Sequence, residues 1–262
     1  MIQTISHHRY LLQELILRDI RSRYVGSLAG ILWSVITPLV LLGVYTFVAH
    51  VFSWRMQGAG SGSTWLTAAS IFAGLLPWIA FQEGVNRSAV TFIENANMIR
   101  KQRFPLEALP LKTVAAAIIH QLVASAIFVL VLAVTGHLSW LKLLLFPVLL
   151  VLQAIMTCGL AQAMAALNVF SRDISQTLGV VFLAAFWGTP IVYQRSIANS
   201  FTHTVLGWNP LTHMIEAYRW ILVGTAPPSW EGLLYWLAFS LLSLWLGVWV
   251  LKRTRVDLLD RI

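Results

Sequence analysis

Residues able to do chemistry are few in this chain, and their spacing suits none of the common catalytic arrangements. No GxxxxGK[ST] phosphate loop occurs, so nucleotide is not bound through that motif. The seven histidines are scattered, adjacent His7 and His8 point to different faces of a helix, and no Cys or His group has metal-site spacing. Ser125 and His120 share one apolar run but lie about 140° apart around a helix, so they do not form a nucleophile–base pair. None of the long apolar runs contains an internal Asp or Glu, so no ion or proton pathway is built from carboxylates. His120 is the ionisable residue in the middle of such a run. Two readings compete for it: a functional site, or a neutral imidazole hydrogen-bonded to a neighbouring helix, with Gln121, Gln153, Thr157 and Gln162 as available partners. Neither a catalytic residue nor a metal ligand is predicted.

The elements that position these residues follow from composition. Of 262 residues, 58% are hydrophobic and 11% charged, whereas soluble domains run at roughly 45–50% and ~25%. Mean hydropathy is +0.75, and twelve residues are Trp. So few charges cannot cover a globule of this size, which leaves an integral membrane protein. One cysteine, Cys158, and no short repeat exclude disulfide-rich and collagen-like classes. Arg9, Glu14, Arg18, Asp19, Arg21 and Arg23 precede any long apolar run, the wrong layout for a cleaved signal peptide.

A membrane-crossing helix needs about 20 apolar residues. Five segments qualify, 28–52, 113–134, 143–167, 174–193 and 233–251, and a slightly short sixth covers 65–82. Six spans put both termini on one side. Fourteen of the 18 basic residues then fall on the side of the termini; Arg55, Lys142, Arg195 and Arg219 fall on the other. The positive-inside rule makes the first side cytoplasmic, so the excess of basic residues needs no nucleic-acid partner.

The connections differ in character. Gly58–Ser63 (GAGSGS) is a flexible external loop. Residues 1–27 contain a basic amphipathic helix over 4–24, with Ile5, Leu12, Leu15, Ile16 and Ile20 on one side; it is expected to lie in the interface, apolar face in lipid, the alternative being a simple cytoplasmic extension of the first span. Glu14 can pair with Arg18, and Asp19 with Arg23. Gly26 and Gly30 form a small-xxx-small pair at the turn into the first span. Segment 83–110 carries a second helical pattern, Ser88–Lys101, closed by Pro105. It is either a lever for a cytoplasmic partner or a solvated charged loop. The external stretch 194–232 is too polar to span yet holds apolar patches around Asn209-Pro210, so re-entrant half-helices compete with an ordinary loop. Residues 252–262 form a cytoplasmic tail. The expected fold is a single all-α transmembrane domain over 1–262.

Several short motifs run through the chain in order: Leu17–Tyr24 (LRDIRSRY) with Gly26-Ser27 and Leu32-Trp33, Asn95–Ile99 with Phe104–Glu107 (FPLE), Asn168–Ile174 (NVFSRDI), Pro190–Tyr193 (PIVY) and Trp208–Thr212 (WNPLT). In these the chain resembles, over essentially its whole length, the transmembrane subunits of ABC-2 type exporters of O-antigen, capsular polysaccharide and teichoic acid. The resemblance implies a multi-pass protein of the bacterial inner membrane, working as a homodimer with two separate ATPase subunits that bind ATP and Mg. It also implies a lipid-linked polysaccharide substrate and no cofactor on this chain. By the same resemblance, residues 88–103 are the coupling helix, with Ile99, Arg100, Lys101, Arg103, Phe104 and Glu107 at the ATPase, and Arg172-Asp173 form a second, smaller contact. Trp208, Asn209, Pro210, Tyr218 and Arg219 belong to an external re-entrant gate.

A long polar glycan needs a continuous passage, and sugar C–H faces stack weakly on aromatic rings. Trp33, Val40 and Phe47 fall on one stripe of the first span; Gln176, Gly179, Phe182, Phe186 and Tyr193 fall near one face of the fifth. Either these faces, duplicated in a dimer, line the channel, or they pack against other helices and lipid. Two other functions compete: ABC-2 export of a drug or lipid, and a membrane-embedded enzyme acting on a lipid-linked sugar with Glu83 or Glu216.

Overall fold

The computed structural model describes residues 9–22, 32–55, 64–101, 105–193 and 200–261. Loop Gly58–Ser63, the Gly26/Gly30 pair, Arg23, Arg103, Phe104 and Arg195 lie outside them. The described residues form helices and no strand. In chain order the helices are α1 (Arg9–Ser22), α2 (Trp33–Arg55), α3 (Thr64–Glu94), α4 (Ala96–Lys101), α5 (Ala108–Val134) and α6 (Trp140–Leu143). They continue with α7 (Phe146–Phe170), α8 (Asp173–Trp187), α9 (Ser200–Gly207), α10 (Pro210–Val223) and α11 (Trp230–Arg261). Among the described residues five stretches are long and apolar enough to cross a membrane: α2, α3, α5, α6 with α7, and α11.

Three expectations change. The segment 174–193 is not one long helix, because α8 ends at Trp187. Its 15 residues reach about 22 Å, short of a ~30 Å hydrocarbon core. Pro190 is responsible: it lacks an N–H and disfavours helical backbone at Thr189. Gly188 N closes the last turn on Ala184 O at 2.8 Å, and Ile191 N bonds Thr189 O at 2.7 Å around the proline. Second, 65–82 and 88–101 are not two helices separated by a loop. Nothing between Gln82 and Glu94 breaks the helix, so α3 runs on to Glu94. Asn95 then closes it, donating from Nδ2 to Thr91 O at 2.8 Å, and α4 is only a six-residue piece beyond that turn. Third, the tail 252–262 continues α11 as helix to Arg261.

The apolar side of α1 also lies elsewhere than expected. Leu12 and Leu15 are buried against protein, in a cluster with Phe92, Ile99, Leu106, Leu109, Leu251 and Leu258. This joins α1 to the same-side ends of α3, α4, α5 and α11. Asp19, 8% exposed, accepts from Arg87 of α3 at 3.3 Å, and Arg87 also reaches Glu83 at 3.6 Å. Arg23, the partner expected for Asp19 on its own helix, lies outside the described residues.

Helix α3 is the axis. It is buried nearly all round from Ala68 to Phe92 and touches α2, α5, α7, α8 and α10. By contrast, among the described side chains of α2 only Leu42 and Ala49 are buried hydrophobics, and most of the others are exposed. The tightest crossing joins α7 to α11. A Cβ on Gly159 would strike the backbone of Ser243 and Leu244, and one on Gly247 would strike the backbone of Gly159. Ser243 Oγ donates across this crossing to Met156 O at 3.3 Å. In lipid, helices associate through such close van der Waals contact, since apolar burial alone gives no preference over lipid tails.

Gly159→Ala and Gly247→Ala are therefore expected to destabilise the fold by at least about 1–3 kcal/mol, the usual cost of overpacking. Gly43→Ala and Gly179→Ala, whose surroundings are open, serve as controls. Thermal unfolding of the purified protein in detergent checks this: similar melting temperatures for all four variants would contradict the close crossing.

Candidate functional site

Helix α10 is entered through Asn209, whose Oδ1 accepts from Leu211 N at 3.0 Å, with Pro210 in the first turn; it ends at Gly224 in the left-handed region, φ 77°. Although amphipathic and only 14 residues long, α10 is largely buried, wedged against α3, α7 and α11. Its buried polar side chains reach chain segments that lack helical partners. Asn209 Nδ2 donates to Thr189 Oγ1 at 2.9 Å and to Gly188 O at 3.3 Å. Arg219, 5% exposed, donates from Nε to Ser70 O at 2.9 Å, from Nη1 to Tyr193 O at 3.3 Å, and from Nη2 to Ile191 O. Only a guanidinium offers donors in several directions at once. The turn after α8, which Pro190 forces, is thereby tied to α3 and α10.

The next residue binds the bundle centre. Tyr218, fully buried, donates from its hydroxyl to Gln153 Oε1 at 2.6 Å. Gln153 and Gln121 bond reciprocally, at 3.1 and 2.8 Å, and Gln153 Nε2 also donates to Pro77 O at 3.1 Å. One glutamine therefore links α3, α5, α7 and α10. His120, on the other side of Gln121, lines a separate cavity of about 310 Å³ between α2, α3 and α5, together with Trp33, Thr37 and Glu83.

Of the external-gate residues, the structure brings Asn209, Pro210, Tyr218 and Arg219 onto this wedge. Trp208 is exposed, and its carbonyl accepts from Tyr235 at 2.9 Å. The channel residues divide. Trp33, Val40 and Phe47 are 49%, 56% and 68% exposed along α2. Phe182 is buried: its ring meets Trp78 at 6.2 Å and Phe81 at 5.7 Å. Phe186 is half-buried, 5.8 Å from Trp78, and Tyr193 donates to Trp187 O at 3.1 Å. Gln176 and Gly179 of the expected stripe are exposed, and the outward face of α8 is completed by Val180, Leu183 and Trp187. Within one chain α2 leans on α3 and α5 while α8 leans on α3 and α7, so the two stripes are not brought onto one surface.

At the opposite end, Ile99 is 4% exposed and anchors α4 in the apolar cluster, leaving Arg100 outward. Lys101 ends α4, and Glu107 is half-buried just before α5. Arg172 and Asp173 are exposed on the α7–α8 turn. Asn168 shapes that turn: its Oδ1 accepts from Ser175 N at 3.0 Å, capping α8 from the preceding helix. Among the described residues no group of three or more His, Cys, Asp or Glu is placed to hold a metal ion.

Sequence reasoning missed the Gly159–Gly247 crossing and the partners of Arg219. The first had a signal, small residues at 240, 243 and 247 facing Gly159 and Ala163. The second had none, since its acceptors are backbone carbonyls.

The chain belongs to the ABC-2 type transporter family, whose characteristic pattern matches residues 10–223. It is similar to the O-antigen export system permease protein RfbA of Myxococcus xanthus, 26% identical across 100% of this chain and 99% of the relative. A protein of the same name from Klebsiella pneumoniae is 29% identical over 88% and 87% of the two chains. The polysialic acid transport protein KpsM of Escherichia coli is 24% identical over 94% and 93%.

Arg219→Met keeps bulk but leaves the carbonyls of Ser70, Ile191 and Tyr193 without that donor. With about 1–3 kcal/mol per orphaned buried group, a large drop in melting temperature is expected. Tyr218→Phe should cost only about 1 kcal/mol, because Gln153 Oε1 still accepts from Gln121. Melting temperatures of the two variants, compared side by side, check the ranking.

Proposed function

We propose that this chain is the permease subunit of an ATP-driven exporter that carries a lipid-linked cell-surface polysaccharide, O-antigen or a similar glycan, across the bacterial inner membrane. The observation that carries the reading is the similarity to an O-antigen export permease across all of this chain and 99% of that relative. In this reading the chain crosses six times with both termini cytoplasmic. Helix α8 and its turn through Tyr193 make the fifth, shortened crossing, and α9 with α10 dips back from the outside. The clamp from Asn209 and Arg219 onto residues 188–193 supports this, since backbone that turns at membrane depth is tolerated only where protein satisfies it.

Two copies pair, and two ATPase subunits bind ATP and Mg on the cytoplasmic side. Helix α4, with Arg100, Lys101 and the adjoining Arg103 and Phe104, meets the ATPase; Glu107 and the Arg172-Asp173 turn complete the contact. Ile99 supports this role by fixing α4 to the cluster that also holds α1, α5 and α11, so a push on α4 reaches the spans. The passage is lined by the exposed stripe Trp33, Val40 and Phe47 of one copy and the outward face of α8, edged by Phe186 and Tyr193. Phe182 supports that wall from behind.

In cells making the lipid-linked glycan, loss of this chain should leave the polymer on the cytoplasmic side, and co-expression with its ATPase should restore surface display. Chemical turnover of a lipid-linked sugar by the purified chain alone would overturn the reading. Charge reversal at Arg100, Lys101 and Arg103 should lower export on the order of ten-fold, within the usual range of coupling energies, while the chain still assembles in the membrane. Normal export would remove α4 from the coupling role. Ala at Trp33, Phe47 and Trp187 should reduce export without lowering the melting temperature, whereas Phe182→Ala should lower the melting temperature.

A further inference from the structure

A second cavity opens on the outer surface of the bundle, between α7, α10 and α11, well away from the one at His120. Its volume is about 740 Å³, and all fifteen residues around it are apolar, Leu145, Val148, Trp220, Ile221, Leu234 and Leu237 among them. No hydroxyl, amide or charged side chain lines it, so neither a sugar nor a water chain finds partners there. The groove has a defined depth. Along α7 it extends from Leu145 to Ile155, ten residue steps or about 15 Å, which is half of a ~30 Å hydrocarbon core.

One cation stands at its mouth. The Lys142 ammonium lies 5.5 Å from the ring centroid of Trp220, a groove residue, and no carboxylate among the described residues pairs with it. Trp140 and Trp230, each 69% exposed, stand near the starts of the same helices, where tryptophans mark a membrane–water boundary. An apolar slot one leaflet deep, an indole rim and an uncompensated ammonium at the rim together describe an amphiphile with a hydrocarbon tail and an anionic head.

We propose that this groove holds an acyl chain of an anionic phospholipid whose phosphate pairs with Lys142. The one-leaflet depth suits an acyl chain. A polyprenyl carrier, with a tail several-fold longer, would overrun it. A second copy of this chain would leave Lys142 without a counter-charge, because the α7 and α11 faces beside the groove expose Val148, Val151, Leu234 and Leu237. The proposal rests on the membrane placement adopted above but not on the exported substrate. Lipid retention and export therefore fail independently.

The test uses the full chain purified with its partner ATPase, incubated with equal amounts of phosphatidylglycerol and phosphatidylcholine of identical acyl chains, and read by native mass spectrometry. Phosphatidylglycerol should be retained about five-fold over phosphatidylcholine, the preference that one interfacial lysine supplies at roughly 1 kcal/mol. Lys142→Ala should abolish the preference and Lys142→Arg should keep it. Leu234→Trp and Val148→Trp, half-exposed positions where a larger side chain fills the groove, should each lower retention of both lipids while ATPase copurification stays intact. Equal retention of the two lipids by the unmodified protein overturns the proposal, as does a preference that survives Lys142→Ala or retention unchanged in both groove-filling variants. Displacement of phosphatidylglycerol by equimolar polyprenyl phosphate would assign the groove to the carrier, and disulfide-linked dimers of Val148→Cys would assign it to a second copy. Either result overturns the proposal too.

Discussion

Every peptide group that leaves a helix inside an apolar surrounding must still find a hydrogen-bond partner, and the architecture is organised around that requirement. Pro190 stops α8 after 15 residues and turns the chain where water is scarce. The carbonyls of Gly188, Ile191 and Tyr193 are then satisfied from one neighbouring helix, through Asn209 and Arg219. Because α10 must be buried to do this, its apolar residues join the core, and Tyr218 is carried to Gln153 at the centre of the bundle. A short helix that hydropathy alone would leave outside becomes the keystone of this end of the bundle.

The other end is held by different physics. Leu12, Leu15, Phe92, Ile99, Leu109, Ala165 and Leu258 form an apolar cluster in which α1, α3, α4, α5, α7 and α11 meet, and the Arg87–Asp19 bond pins α1 to α3 beside it. Between the two ends runs α3, buried on nearly all sides, with the glycine-on-backbone crossing of α7 and α11 alongside. Interiors packed this closely do not deform gradually; they shift between discrete arrangements.

Much of this was legible in the chain itself. Apolar runs of sufficient length marked the five helices long enough to cross a membrane, and Asn209-Pro210 marked the start of a helix. The misreadings share one cause. A break was expected after Gln82 because charge begins there, but charge does not end a helix: the backbone runs on through Gly84 to Glu94, and only the Asn95 turn closes it. The α1 stripe was assigned to lipid because an amphipathic pattern states that a face is buried without saying against what. Phe182 was placed on a passage because helical periodicity identifies a stripe but not its neighbour.

The sequence by itself determined that the protein lives in a membrane, where basic residues accumulate and which family it belongs to. All of these are properties of composition, local periodicity and short motifs. Only the tertiary structure decided that Arg219 bonds three carbonyls from two segments, that Asp19 meets Arg87 of another helix, and that Gly159 lies against Gly247. Such contacts join residues 26 to 149 positions apart, and their partners are often backbone atoms that every residue carries alike. No pattern in the order of side chains records where those atoms come to rest.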